Sequence, residues 1–147
     1  MNMLALEPLI KARLDDWLSD QSPVPHVLAT PDLAGVTEEK QLAPAVHVVY
    51  FGMRIKEVIA EGCKAMIEQD WLTVVVVRNV RNARRGDAAR SEAGLLLAMT
   101  WSALAGWSPG AGMRRLRPAS PPASAYTAGF AYHPLAWTTT LQMRGGA

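Results

Sequence analysis

Cysteine is almost absent from this chain. The only one is Cys63. A lone cysteine forms no internal disulfide and no thiolate-rich metal site, which excludes a disulfide-stapled scaffold. Histidine is scarce as well: no two of His26, His47 and His133 have the spacing of a metal pair, so neither metal nor cofactor is expected. Acidic residues stop at Glu92, and the rest of the chain therefore offers no carboxylate for a hydrolytic triad. Long apolar runs are missing too. The longest, Ala93 to Trp107, has fifteen residues and contains Thr100 and Ser102, whereas a membrane-crossing helix needs about 20. Met1 to Leu6 lack a basic leader, and Glu7 and Lys11 interrupt the apolar start. No secretory signal is expected, and synthesis in a reducing compartment fits best.

What remains is a chain rich in apolar residues. Half of its 147 residues are apolar and 19% are charged, enough to bury a core and too apolar for long-range disorder. The expectation is one domain over 1–147 with a short flexible tail at 144–147. Net charge is only +2, but it is unevenly spread. Residues 1–77 hold six basic and eleven acidic side chains, a net of −5, and residues 78–147 hold nine and two, a net of +7. Such polarity suits head-to-tail contact with a second copy, or contact with an acidic partner. Simple intermixing of the two signs on the folded surface accounts for it equally well.

Leu6, Leu9, Ile10, Leu14, Trp17 and Leu18 follow helical spacing from about Glu7, with Pro8 tolerated in the first turn. A short strand is expected at 26–29. Asp32 could cap a helix or turn across 33–40. "AVHVVYF" at 45–51 is apolar on both alternating faces and reads as a central strand that Gly52 ends. The segment 53–62 then reads as a mobile connecting loop. A second long strand is expected within 65–80, with both faces covered over "WLTVVVV". The polar, arginine-rich stretch 82–86 reads as a break before the best helix, 87–106. That helix has Asp87 and Glu92 near its start and Gly106 at its C-terminal end. Beyond the tight loop 108–112, a short strand is expected at 113–117 and an irregular segment at 118–124. The last strand region, 126–143, shifts its large apolar residues from even to odd positions near His133-Pro134, which predicts a bulge or bend there. Consecutive strands joined by loops imply antiparallel pairing. The expected fold is α+β: an antiparallel sheet of about four strands flanked by two main helices.

Several motifs fail when tested for chemistry. Gly106-Trp107-Ser108-Pro109-Gly110 matches the G-x-S-x-G nucleophile elbow, which must lie between a strand and a helix. Here the serine follows a helix, and Pro109 lacks the N–H that would serve the oxyanion. Gly110 and Gly112 follow no strand, so they are no dinucleotide fingerprint. His47, in an apolar strand, reads as a core or interface residue, and Cys63 as inert. Glu68 and Asp70 share a strand face that an exposed strand end explains. Trp17, Trp71, Trp101 and Trp137 fall on apolar faces and read as core. Trp107, in a loop, reads as an interface anchor. Arg78, Arg81, Arg84, Arg85 and Arg90 flank the start of the main helix, and Arg114, Arg115 and Arg117 follow its end. Arginine favours bidentate pairing with carboxylate or phosphate. Without interleaved aromatics or a helix-turn-helix pattern, acidic protein surfaces are favoured over nucleic acid. The resulting candidate interface is Arg81, Arg84, Arg85, Trp107, Arg114, Arg115 and Arg117.

Taken together and in order, "PAVHVVYFG" (44–52), "WLTVVVVRN" (71–79), "RSEAGLLLAMTWSALAGWSP" (90–109) and "YTAGFAYHPLAWTTTL" (126–141), after "HVLATPDLAGV", make a chain that resembles the small tail proteins of Mu-like bacteriophages, and more broadly phage tail terminator or tail completion proteins. The resemblance covers about Leu4 to Leu141. It implies an antiparallel sheet flanked by helices and a structural virion protein with no catalytic residues. It also implies a ring, typically hexameric, that caps the head-proximal end of the tail tube and stops its polymerisation. Implied partners are further copies of the chain, the tail tube protein and the head connector or neck protein, with DNA passing the lumen without sequence-specific binding and no membrane contact. The implied place is the virion tail, after assembly in the host cytoplasm. A neck or head-completion protein, an arginine-rich nucleic-acid-binding module and a small hydrolase or nuclease stand as alternatives.

Overall fold

The structure is a computed structural model that describes residues 2–36, 42–79 and 83–146. Helix α1 (Leu6–Trp17) forms where the apolar periodicity places it and buries Leu6, Ile10 and Leu14 along one stripe. Strand β1 (His26–Thr30) and the single-turn helix α2 (Leu33–Val36) follow. The long strands β2 (Ala45–Ile59) and β3 (Lys64–Arg78) come next, then helix α3 (Ala83–Leu104). The short strands β4 (Arg117–Ala119) and β5 (Ala125–Tyr126) precede the third long strand, β6 (Phe130–Arg144). The six strands form one sheet in the order β1-β2-β3-β6-β4, with β5 also pairing β6.

This is the expected mixed α+β architecture with more strands than expected, and several details differ. β1 pairs β2 in parallel, not antiparallel. The intervening segment 31–44 is long enough to carry the chain back to the start of the sheet, which a tight turn is not. Gly52 does not end β2. It takes φ +118 in a bulge between Tyr50↔Trp71 and Gly52↔Asp70, after which pairing with β3 resumes. A conformation open mainly to glycine bends the strand without stopping it. The expected loop 53–62 is therefore strand as far as Ile59, with a second bulge between Ile55 and Glu57. The reversal lies at Ala60–Gly62, where all three residues have positive φ.

The arginine-rich break is likewise helical from Ala83, since alanine and arginine are good helix formers. The expected strand at 113–117 narrows to Arg117, which opens β4, and Met113 makes only isolated bridges to Gly110 and Leu141. β6 pairs β3 without a break from Arg78↔Phe130 to Lys64↔Arg144, so no bulge forms at His133-Pro134. Large residues change parity there because β6 is buried on both sides: Trp137 and Leu141 join the helix-side core, and Tyr132 and Ala136 join the opposite one. Arg144, assigned to the tail, still belongs to the ladder, and the Gly145 N–H donates to the Cys63 carbonyl at 2.8 Å.

β3 is the centre of the molecule. Trp71 to Val77 are buried without interruption, as expected of a strand covered on both faces. On one side α1 and α3 cover Val46, Val48, Trp71, Val75 and Trp137. On the other, Ala45, Val49, Leu72, Val74 and Val76 pack with Val36 of α2. Of the tryptophans read as core, Trp71 and Trp137 are fully buried, whereas Trp17 and Trp101 are 38% and 47% exposed at the helix margins.

Candidate assembly interface

The end of α3 is closed by a compact polar lock. Gly106 takes φ +72, the left-handed C-terminal position for which glycine is suited. Its N–H donates to the Leu116 carbonyl at 2.9 Å, and the Leu116 N–H donates to the Trp107 carbonyl at 2.9 Å. Arg115 Nη1 donates to the Gly106 carbonyl at 2.7 Å, which places a cation at the negative end of the helix dipole. On the other flank Arg13 Nε donates to the Ala103 carbonyl at 2.9 Å. Its guanidinium lies 5.0 Å from the Trp17 ring centroid and 5.3 Å from that of Trp107. Trp107, read as an interface anchor, is half-buried against the core. Its contacts join α1 to the end of α3.

The face of the sheet opposite the helices carries a charge ladder. Arg54 on β2 donates to Glu68 Oε2 at 3.0 Å and to Asp70 Oδ1 at 2.9 Å. Arg117 on β4 donates to Glu68 Oε1 at 3.4 Å and to Thr140 Oγ1 at 3.2 Å. Thr138 Oγ1 donates to Asp70 Oδ1 at 2.9 Å. Glu68 thus lies between two guanidinium groups, and Asp70 between that of Arg54 and the Thr138 hydroxyl, so both carboxylates are paired in place. Arg54 was missed because β2 was ended two residues before it. Recognising the Gly52 bulge would have placed it opposite Glu68.

Of the sequence-derived interface residues, Arg114, Arg115 and Arg117 line one shallow pocket with Gly106 and Ser108, beside the Trp107 loop. Arg115 and Arg117 are engaged within the chain, while Arg114 is exposed and its guanidinium makes no hydrogen bond or ion pair among the described residues. Arg81 lies outside the described residues. Arg84 and Arg85 occupy the first turn of α3 rather than a loop, and their side chains also lie outside the description. Arg90 pairs with Asp87 on the same helix. Arg78 stands over the Phe130 ring at 6.0 Å.

Neither remaining histidine environment makes an active site. His47 Nδ1 and Thr30 Oγ1 are 2.6 Å apart and buried, and His47 Nε2 has no hydrogen-bond partner among the described residues. Burial pushes the His47 pKa below its ordinary 6.5, because a charged imidazolium there would lose its hydration. His133 Nδ1 lies 3.0 Å from Ser124 Oγ, and desolvation lowers its pKa too. The ring beside it is Tyr126, at 5.9 Å, and no carboxylate orients the pair among the described residues. Ser108 follows α3 in the loop, as expected. No group of three or more His, Cys, Asp or Glu side chains suited to a metal is found among the described residues.

The apolar surface that stays open is on β2. β1 covers its outer edge only as far as Val49. Phe51, Met53, Ile55 and Val58 beyond that point are 49%, 45%, 60% and 61% exposed. Leu95 and Trp101 are similarly exposed on α3, which bears no charge between Glu92 and its end. Large apolar side chains on an open strand edge and an uncharged helix face mark a protein made to be covered by other proteins.

An assembly component is what this arrangement describes. The family model for phage tail terminator proteins matches residues 1–147, and the chain belongs to that family. No curated protein matches it. Membership assigns the chain a structural role in the bacteriophage tail, in association with tail tube and head components, rather than an enzymatic one. No helix among the described residues is long and apolar enough to cross a membrane.

Proposed function

We propose that the chain assembles into a closed ring, of about six copies, that caps the head-proximal end of the tail tube. The ring stops addition of tube protein and presents its other face to the head connector. The observation that carries this reading is the family match over the whole chain; because the match names tail terminators, it favours this role over that of a neck protein. The uneven charge supports head-to-tail contact between copies, which closes into a ring when the rotation per subunit allows. Arg84 and Arg85 at the start of α3, Arg81 just before it in the sequence, and Arg114, whose guanidinium is unpaired among the described residues, supply cations for contacts with acidic neighbours. At the far end of α3, Arg115 and Trp107 hold the helix terminus in place, and Arg117 is held in the charge ladder by Glu68.

The test is absolute mass by light scattering, with and without tail tubes. A ring, or a smaller species that becomes a ring on tube ends, supports the proposal. A chain that ignores tube ends in every state overturns it. Reversing both Arg84→Glu and Arg85→Glu abolishes ring assembly while leaving circular dichroism and thermal unfolding of the chain unchanged. Normal assembly of that double variant refutes the role given to the two arginines.

A further inference from the structure

β2 runs on for ten residues, Tyr50 to Ile59, with no strand on its outer side among the described residues. That is about 30 Å of open backbone donors and acceptors. Natural edge strands are usually shortened, covered or given a charge to prevent pairing. This one carries Lys56, but Glu57 follows at once, and neither makes an ion pair among the described residues. The bulge between Ile55 and Glu57 has a further consequence. Ile55 pairs with Ile67, and Val58 with Ala65, both of which pack in or against the helix-side core. Residues three apart on a regular strand face opposite ways, and the bulge brings these two to the same face.

We propose that this edge pairs antiparallel with the same edge of a second copy, about a two-fold axis between Lys56 and Glu57. In that register Lys56 faces the partner's Glu57, Glu57 faces the partner's Lys56, and Ile55 faces the partner's Val58. Each bulge then lies opposite the other, so the two strands match residue for residue. Moving the register one residue either way sets Lys56 against the partner's Lys56, or Glu57 against the partner's Glu57. Like charges directly opposed across a sheet are destabilising. The opposed bulges together with this charge and apolar matching favour this register, and the occupant they fit is this sequence itself. The contact is isologous. It is additional to the head-to-tail contacts of a ring and does not rest on them.

The experiment uses the free full-length chain without tail tubes, so its outcome is separate from that of the ring. Light scattering over a concentration series is expected to show a species of twice the 16.0 kDa chain mass. Lys56→Glu and Glu57→Lys, each alone, place two like-charge contacts in the dimer and weaken it about tenfold. The double exchange Lys56→Glu/Glu57→Lys restores the pairing, a recovery that a folding defect does not produce. In a Cys63→Ser background, mixing an Ile55→Cys chain with a Val58→Cys chain yields an interchain disulfide, whereas either chain alone yields little. The proposal is overturned by a chain that stays monomeric, by a double exchange no better than its single parents, or by equal linkage in all three mixtures. Protection of β2 amides from hydrogen exchange only on tube ends also overturns it, and assigns the edge to the tube protein.

Discussion

Trp137 and Thr73 offer a direct measure of what holds the centre of the sheet. Trp137 is fully buried, its Nε1 donates to Thr73 Oγ1 at 2.9 Å, and its ring lies 5.7 Å from that of Trp101. Thr73 is itself fully buried on β3. Thr73→Val keeps the volume but leaves the indole N–H with no acceptor, a loss of about 1–3 kcal/mol. Trp137→Phe removes the donor and part of the ring, leaving a small cavity and an unpaired hydroxyl, at about 2–4 kcal/mol. In the double variant both polar partners are gone, so the penalty for an unpaired group is not incurred twice. Its loss should fall short of the sum of the single losses by about 1–2 kcal/mol. The assay is urea unfolding followed by far-ultraviolet circular dichroism for all four proteins. It is run at one protein concentration, because self-association shifts apparent stability. Losses that add to within about 0.5 kcal/mol would show that the two groups do not depend on each other, and would refute the reasoning.

Two other buried or half-buried contacts can be tested in the same way. Arg13→Lys keeps the charge but loses the bond to the Ala103 carbonyl and the flat surface between Trp17 and Trp107; it should cost about 1–2 kcal/mol in urea unfolding, with the loss unchanged by salt. For His47, the folded protein resists a proton that the unfolded chain accepts. Stability is therefore full above pH 6.5 and falls as pH drops below it, until the lowered folded-state pKa is reached. His47→Gln flattens that part of the pH–stability curve. Because the half-buried His133 shares the sign, its own variant is measured alongside; a slope unchanged in the His47 variant would refute the assignment.

Much of the molecule is visible in local pattern. Leu6, Ile10 and Leu14 declare α1 because a helix repeats every 3.6 residues, and Trp71 to Val77 declare a doubly covered strand because neither alternating face is polar. Gly106 marks the end of α3 for a purely local reason, its positive φ. Failure to match a nucleophile elbow was equally local, since Pro109 has no N–H to give. The order of these segments also carried the resemblance to tail terminators.

Tertiary structure decided what depends on a neighbour. Gly52 can end a strand or bulge it, and only the partner strand's continuation to Lys64 makes it a bulge. The parity change in β6 means a bulge if one face is solvated and nothing if both are buried; both faces are buried because Trp137 and Leu141 join the helix-side core and Tyr132 and Ala136 join the cluster that includes Val36 of α2. Glu68 and Asp70 share a face by sequence, but Arg54 reaches both and Arg117 reaches Glu68 only because β2, β3, β6 and β4 lie side by side. The open edge of β2 was hidden for the same reason: an edge is a property of the sheet, since it exists only where β1 stops and no other strand among the described residues takes its place. Sequence determines which residues prefer to be strand, helix or turn. The backbone groups and side chains left without partners are settled only when the whole sheet is assembled.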